Sequence, residues 1–232
     1  VEKENYCFDL AKVKKGYDLI AKEYAEHYFH ELDEKPFDRR ILEWFAAQVP
    51  SGEEVYDVGC GPGEITSFLH HLGVDVKGID ISPNMINVAR TLTPGCLFMV
   101  DNMLNLNMPD ESVFGITAFY AIVHFSLKEV NRTLEEFYRV LKPGGNLLFS
   151  FHVGDEIIST ENFLEKEGAA LDFVFFDVDE IRDMAESAGF CFEECMVRYP
   201  YVEREYASRR AYIWAKKSNN SEQNKNIYAR SK

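Results

Sequence analysis

Residues 55–66 read VYDVGCGPGEIT: a short apolar run, then glycines at 59, 61 and 63, then the start of a helical pattern. An apolar strand feeding a glycine-rich turn and a helix is a ligand-binding device of open α/β sheets, where ligands sit beyond the carboxyl ends of the strands. Glycine permits positive φ and lets a ligand touch the main chain. The helix amino terminus that follows offers unpaired amides and partial positive charge. A dinucleotide fingerprint, G-x-G-x-x-G, needs its third glycine at position 64, where this chain carries Glu64. Spacing and charge together argue against a pyrophosphate, and so against NAD and FAD.

Outward from this turn, apolar runs at 55–58, 74–79, 97–100, 113–120 and 147–151 alternate with helical patterns at 65–71, 83–91 and 128–141. Continuous apolar strands separated by helices predict a doubly wound α/β domain with a mainly parallel sheet covered on both faces. Ser82-Pro83 places an N-cap before a proline at the first helical position. Asp177 to Glu180 has capping-box form and opens a helix through Ala188, with Gly189 at its end. Two late strands, 190–199 and 210–216, are joined by a link too short for a crossover helix, which predicts an antiparallel hairpin at the sheet edge. Between 154 and 171, GDEIISTENFLEKEGAAL shows no clear period and predicts an inserted loop or short helix near the site. Ahead of the sheet, Tyr17, Ile20, Ala21, Tyr24 and Tyr28 recur at helical spacing, as do Ile41, Leu42, Phe45 and Val49. These helices either cover the sheet or form a lid over the strand ends. The expected organisation is a helical lid region at 1–50, a ligand-binding domain at 51–217 and a polar, disordered tail at 218–232.

The second strand ends in VKGIDIS, placing Asp80 about twenty residues beyond the first glycine, where a carboxylate accepts from a ribose diol. Asp80 could instead only cap the next helix, a role Ser82 fills better. The third strand ends at Asp101, placed to accept from an exocyclic amine. With FMVDNMLNLNMPDES, FGITAFYAIVHF and EEFYRVLKPGGNLLFSF following in order, the sequence resembles a class I S-adenosylmethionine-dependent methyltransferase of the small-molecule kind over roughly residues 17–216. That resemblance implies a seven-stranded sheet of order 3-2-1-4-5-7-6 with strand 7 antiparallel. It implies S-adenosylmethionine as cofactor, with S-adenosylhomocysteine as product. Gly59, Cys60 and Gly61 would pack against the methionine part, with Asp57 supporting the loop. Asp80 would hold the ribose, Ile81 and Met85 would flank the adenine, and Asp101, Asn102 and Met103 would read its edge. Backbone at Tyr120 and Ala121 would accept from the ammonium, Tyr24 would lie near the sulfonium, and Arg39 could pair with the carboxylate.

Methyl transfer from a sulfonium is an in-line displacement in which alignment supplies much of the acceleration. A base is needed only for a hydroxyl or protonated amine acceptor, and His124 and His152, after strands four and five, are the candidates. Each could equally be a packing histidine. Tyr17, Arg198 and Arg209 are candidate acceptor contacts. The arginines of VRYPYVEREYASRRAYIW could receive a carboxylate or phosphate, or could serve only as edge-strand charge.

Net charge is -14 with a pI near 4.9, which makes nucleic acid and anionic membranes poor default partners. The five cysteines lack zinc-ribbon or disulfide-scaffold spacing, no metal is expected, and the start carries no apolar leader segment. The expectation is a soluble, cytoplasmic monomer or homodimer acting on a small-molecule methyl acceptor. A non-catalytic cofactor sensor and a tRNA or protein methyltransferase are the competing readings, since fold does not fix function.

Overall fold

The computed structural model describes residues 6–218, so the expected tail lies outside the described residues except for Ser218. In chain order the elements are α1 (Leu10–Tyr28), α2 (Pro36–Ala47), β1 (Glu54–Val58), α3 (Glu64–His71), β2 (Asp75–Asp80), α4 (Pro83–Leu92), β3 (Leu97–Val100), β4 (Val113–Phe119), α5 (Leu127–Val140), β5 (Leu141–Val153), β6 (Ile157–Thr160), β7 (Leu171–Val174), α6 (Val178–Ser187), β8 (Phe190–Arg198) and β9 (Arg209–Lys217). A seven-stranded sheet runs β3-β2-β1-β4-β5-β9-β8. Pairs from β3 through β5 are parallel, and β9 is antiparallel to both of its neighbours. This is the expected order, with the last two strands renumbered because β6 and β7 precede them.

Local chemistry explains the boundaries. Ser82 Oγ accepts from Met85 N ahead of α4, and Asp177 accepts from Asp179 N and Glu180 N ahead of α6. Asp9 does the same for α1, a cap of about 1 kcal/mol. In β1, Val55 through Val58 are all buried, as expected of a strand covered on both faces. On one face α2 packs Ile41, Leu42 and Phe45 with Val55, Leu148 and Trp214. On the other, Val130, Leu134 and Phe137 of α5 join Ile116, Leu147 and Phe149. Each such fully buried side chain contributes about 2 kcal/mol.

The two N-terminal helices do different things. While α2 covers the sheet, α1 lies across its carboxyl end. Asp18 accepts from Ser82 Oγ at 2.6 Å and Asn84 N at 3.2 Å, and Ile20 and Ala21 pack on Met85.

The segment 154–171 meets expectation in part: residues 161–170 are a loop carrying a short 3-10 helix at Phe163–Glu165, but this loop joins β6 and β7, which pair as an antiparallel hairpin that was not expected. Each strand has four residues, and the pairing Ile158↔Phe173 joins positions fifteen apart, so no local period betrays them.

Candidate functional site

The turn after β1 is built by backbone geometry. Gly59, Gly61 and Gly63 have φ of 73°, 51° and 89°. A Cβ at Gly59 would stand 2.7 Å from Ala121 Cβ, and one at Gly63 2.8 Å from Phe98, so these two glycines permit close packing. A Cβ at Gly61 would meet only Tyr24, at 3.9 Å, because Gly61 faces a cavity of about 450 Å³.

This cavity opens beyond the carboxyl ends of the strands, as the fold requires. Gly59, Cys60, Gly61 and Glu64 line it from the first turn, Asp80 and Ile81 from the end of β2, and Asn102 and Met103 from the end of β3. Tyr120, Ala121 and His124 follow β4, and His152 ends β5. Tyr17, Tyr24 and Tyr28 of α1 form one wall, and Ile158, Phe173 and Phe175 contribute another.

Asp80 accepts from Gly61 N at 3.0 Å and Ser82 N at 2.8 Å, so one carboxylate ties the glycine turn to the next helix. Burial pushes its pKa up to about 6, against the pull of those two amides. Tyr120 sits at φ 52°, held by Ser150 O at 3.0 Å, which turns the chain over the cavity. Burial raises Tyr24 well above the ordinary phenol range.

Both histidines are neutral. Burial pulls His124 down to about 4, and its ring is committed on both sides, with Tyr17 Oη at 2.8 Å from Nε2 and Asp172 O at 2.6 Å from Nδ1. Burial and then Arg210 pull His152 down to about 3. Its Nδ1 pairs with Ser208 Oγ at 2.8 Å, and its ring stacks on Phe175 at 5.0 Å.

Six of the sequence-predicted residues do not line the cavity. Asp57 lies behind the glycine turn, accepting from Thr66 Oγ1 at 2.7 Å and Thr117 Oγ1 at 3.0 Å, which joins β1 to α3 and β4. Met85 is buried between α1 and α4. Asp101 organises its own loop by accepting from Asn102 N and Asn107 N. Arg39 points outward to Asp33 at 3.2 Å over the Phe68 ring. Arg198 spends its guanidinium on Asp38, Glu205 and Tyr212. Arg209 is exposed, whereas its neighbour Arg210 is buried and lines the cavity.

Sequence reasoning missed Lys35 and the carboxylates around it, although Arg204 and Arg210, from the arginine-rich stretch it singled out, do line the cavity. Lys35 lies 2.8 Å from Glu31 and 3.5 Å from Glu205; burial works against its charge, yet Glu31 carries it up to about 12. Glu64 Oε2 is buried with no hydrogen-bond partner, and burial together with Glu31 pushes this carboxyl well above its usual range. Among the described residues no cluster of His, Cys, Asp and Glu could hold a metal ion, and no helix is long and apolar enough to cross a membrane.

Residues 55–145 match the family described as "Methyltransferase domain". The chain is 37% identical over 125 residues to a probable tRNA methyltransferase 9B of Mus musculus, covering 52% of this chain and 26% of that protein. It is 29% identical over 164 residues to a demethylmenaquinone methyltransferase of Tropheryma whipplei, covering 61% and 68%. Among the first curated relatives it spans only 26% to 56% of their length. A solved structure of a SAM-dependent methyltransferase from Methanosarcina mazei superposes with a TM-score of 0.67 at 21% identity, covering 75% of this chain and 97% of that one. The fold, the glycine turn and the strand-end carboxylate agree with these likenesses: residues 55–145 are a methyltransferase domain, carried on the class I, Rossmann-like fold of S-adenosylmethionine-dependent methyltransferases.

Proposed function

We propose that the chain transfers a methyl group from S-adenosylmethionine to an oxygen or nitrogen of a small-molecule acceptor. The observation that carries this reading is the cavity itself, which extends from the glycine turn to the β6–β7 hairpin beneath α1 and has room within the range of small-molecule sites.

The residues present fit the cofactor. The bare Gly61 face is a cradle that a Cβ would fill, and Asp80 retains lone pairs beyond its two amide bonds for a ribose diol. Ile81, Asn102 and Met103 stand where the adenine would lie, with Asp101 and Met85 acting behind them. Lys35, rather than Arg39, is the cation available to the cofactor's carboxylate. Tyr24 presents an aromatic face suited to a sulfonium. When bound, the cofactor supplies an electrophilic methyl group whose leaving group is neutral. Neutral His152, in the cavity wall, is the group able to take a proton from an acceptor hydroxyl or amine, whereas both ring nitrogens of His124 are committed to positioning. In this reading α1, within residues 1–50, is the cover, residues 51–217 are the cofactor-binding domain, and the acidic protein works in the cytoplasm.

The likeness to a probable tRNA methyltransferase supports tRNA as a second acceptor class. A net charge of -14 opposes it, since a phosphate backbone is repelled. The test incubates the protein with methyl-labelled cofactor and, in parallel, a metabolite extract and total tRNA. Label is expected in the small-molecule fraction. Label in tRNA alone would replace the acceptor class, and no transfer despite cofactor binding by calorimetry would leave a binding protein without catalysis.

A further inference from the structure

We infer that the acceptor half of the cavity receives a neutral, planar aromatic ring held between two aromatic walls, and excludes an anionic acceptor; this rests on the proposed methyl transfer and names its substrate class.

The first wall is continuous from the hairpin to α1. Phe163 meets Phe173 at 5.1 Å, Phe173 meets His124 at 5.1 Å, His124 meets Tyr17 at 5.3 Å and Tyr17 meets Tyr24 at 5.7 Å. The second runs across the end of β5. Tyr120 lies 5.1 Å from His152 at 32°, His152 stacks on Phe175 at 5.0 Å and 26°, and Phe175 meets Tyr206 at 6.0 Å. All of these rings line the cavity. Such centroid separations are those of favourable aromatic pairs, and an inserted ring adds contacts of the same kind. The hairpin supplies both walls through strand periodicity. Phe173 and Phe175 are two residues apart, and Ile158 is directly opposite Phe173.

The polar atoms of Tyr17 and His124 in the first wall are already engaged. Tyr17 Oη is held by His124, and His124 by the Asp172 carbonyl. Every cation that lines the cavity is likewise occupied by a carboxylate: Lys35 by Glu31 and Glu205, Arg210 by Glu205 at 3.3 Å, and Arg204 by Glu34 at 3.1 Å. Carboxylates outnumber cations in the lining, with Glu31, Asp38, Glu64, Asp80 and Glu205 against Lys35, Arg204 and Arg210, so an anionic acceptor meets net repulsion that the cofactor, with its own ammonium and sulfonium, does not. A neutral ring meets no such penalty.

The experiment titrates two probes sharing one ring system, 2-naphthol and 6-hydroxy-2-naphthoate, into the protein loaded with S-adenosylhomocysteine, whose own binding is measured in the same series. Naphthol is expected to bind at least tenfold more tightly than the carboxylate. Phe173→Leu and Phe163→Leu are each expected to weaken naphthol at least fivefold and to leave S-adenosylhomocysteine within twofold. Equal or tighter binding of the carboxylate, absence of naphthol binding, or indifference to both substitutions overturns the inference while leaving the cofactor reading intact. Naphthol binding without any S-adenosylhomocysteine binding overturns the cofactor reading instead.

Discussion

Tyr17 Oη stands 2.8 Å from His124 Nε2, and this contact fixes what His124 can do. The opposite nitrogen, Nδ1, lies 2.6 Å from the Asp172 carbonyl, which only accepts, so Nδ1 carries the proton and Nε2 accepts from the phenol. A ring committed on both sides straps α1, the end of β4 and β7 together. It is a positioning residue.

Tyr17→Phe therefore leaves a buried acceptor without its donor, and the expected cost is about 1–3 kcal/mol. Urea unfolding measures it. His124→Asn should raise the acceptor's KM through a displaced wall while leaving the shape of the pH–kcat profile unchanged. A kcat loss of a thousandfold with unaltered KM would instead make His124 the base.

His152→Gln is expected to lower kcat by about tenfold for an acceptor that must lose a proton, below the roughly 10²–10⁴ of a base tuned to the working pH, because burial and Arg210 leave this imidazole a weak base. Cofactor affinity should stay within twofold. With the imidazole held at about 3, its own titration leaves kcat level from pH 5 to 8. Full activity of the variant on a hydroxyl acceptor would remove His152 from the chemistry.

The glycine turn separates packing from binding. Gly59→Ala drives a Cβ onto Ala121, a short side chain unable to swing aside, and should lower both stability and cofactor affinity. At Gly61 the added methyl meets only Tyr24, so the cost to the fold is the left-handed backbone alone, about 1–2 kcal/mol. Gly61→Ala should nonetheless abolish measurable cofactor binding by calorimetry. Equal affinity in this variant would show that nothing docks on that face.

Much of this was legible because its signals are local. Apolar runs, the Ser82 and Asp177 caps and the position of Asp80 depend on neighbours a few residues away. What escaped depends on which face an element presents. Lys35 and Arg39 are one helical turn apart, yet Lys35 precedes α2 with φ -116° and ψ 74° and reaches the cavity, while Arg39 turns to Phe68. Arg209 and Arg210 alternate across β9, and their assignment follows only from long-range register. Arg210 is paired with His152, which lines the cavity, so Arg210 must share that face. The hairpin was invisible for the same reason, its two short strands being specified by each other.

Asp80→Ala should weaken the cofactor about 10- to 100-fold, corresponding to the ~1.5–3 kcal/mol of a charge-assisted hydrogen bond. Because burial holds the wild-type carboxyl at about 6, cofactor affinity should fall as pH drops through 6, where the acceptor becomes protonated. The fold responds in the opposite sense. A raised carboxyl contributes stability that is fully present below its unfolded pKa near 3.8 and lost as pH rises through 6. Calorimetry between pH 5 and 8 should therefore show a pH-dependent affinity that Asp80→Asn flattens, and an unchanged slope in the variant would remove Asp80 from the ribose.

Arg198 is the last test, because it was expected at the acceptor and instead clamps the link between β8 and β9 to α2. Its guanidinium donates to Asp38 Oδ2 at 2.8 Å and to both oxygens of Glu205 at 2.7 and 2.8 Å, and Asp38 is fully buried. Arg198→Met leaves buried Asp38 with the Tyr212 hydroxyl and no cation, while Glu205 keeps Lys35 and Arg210, and should cost about 3 kcal/mol in urea unfolding, whereas Arg198→Met with Asp38→Leu should recover part of it. Burial opposes the charge of Glu205, but Arg198 holds its pKa at about 2. That contribution is present above the unfolded value near 4.5 and is lost as pH falls through 2, so the gap between wild type and Arg198→Met should narrow on acidification. A single substitution costing under 1 kcal/mol, or a double variant weaker than the single, would show that the clamp does not hold the loop.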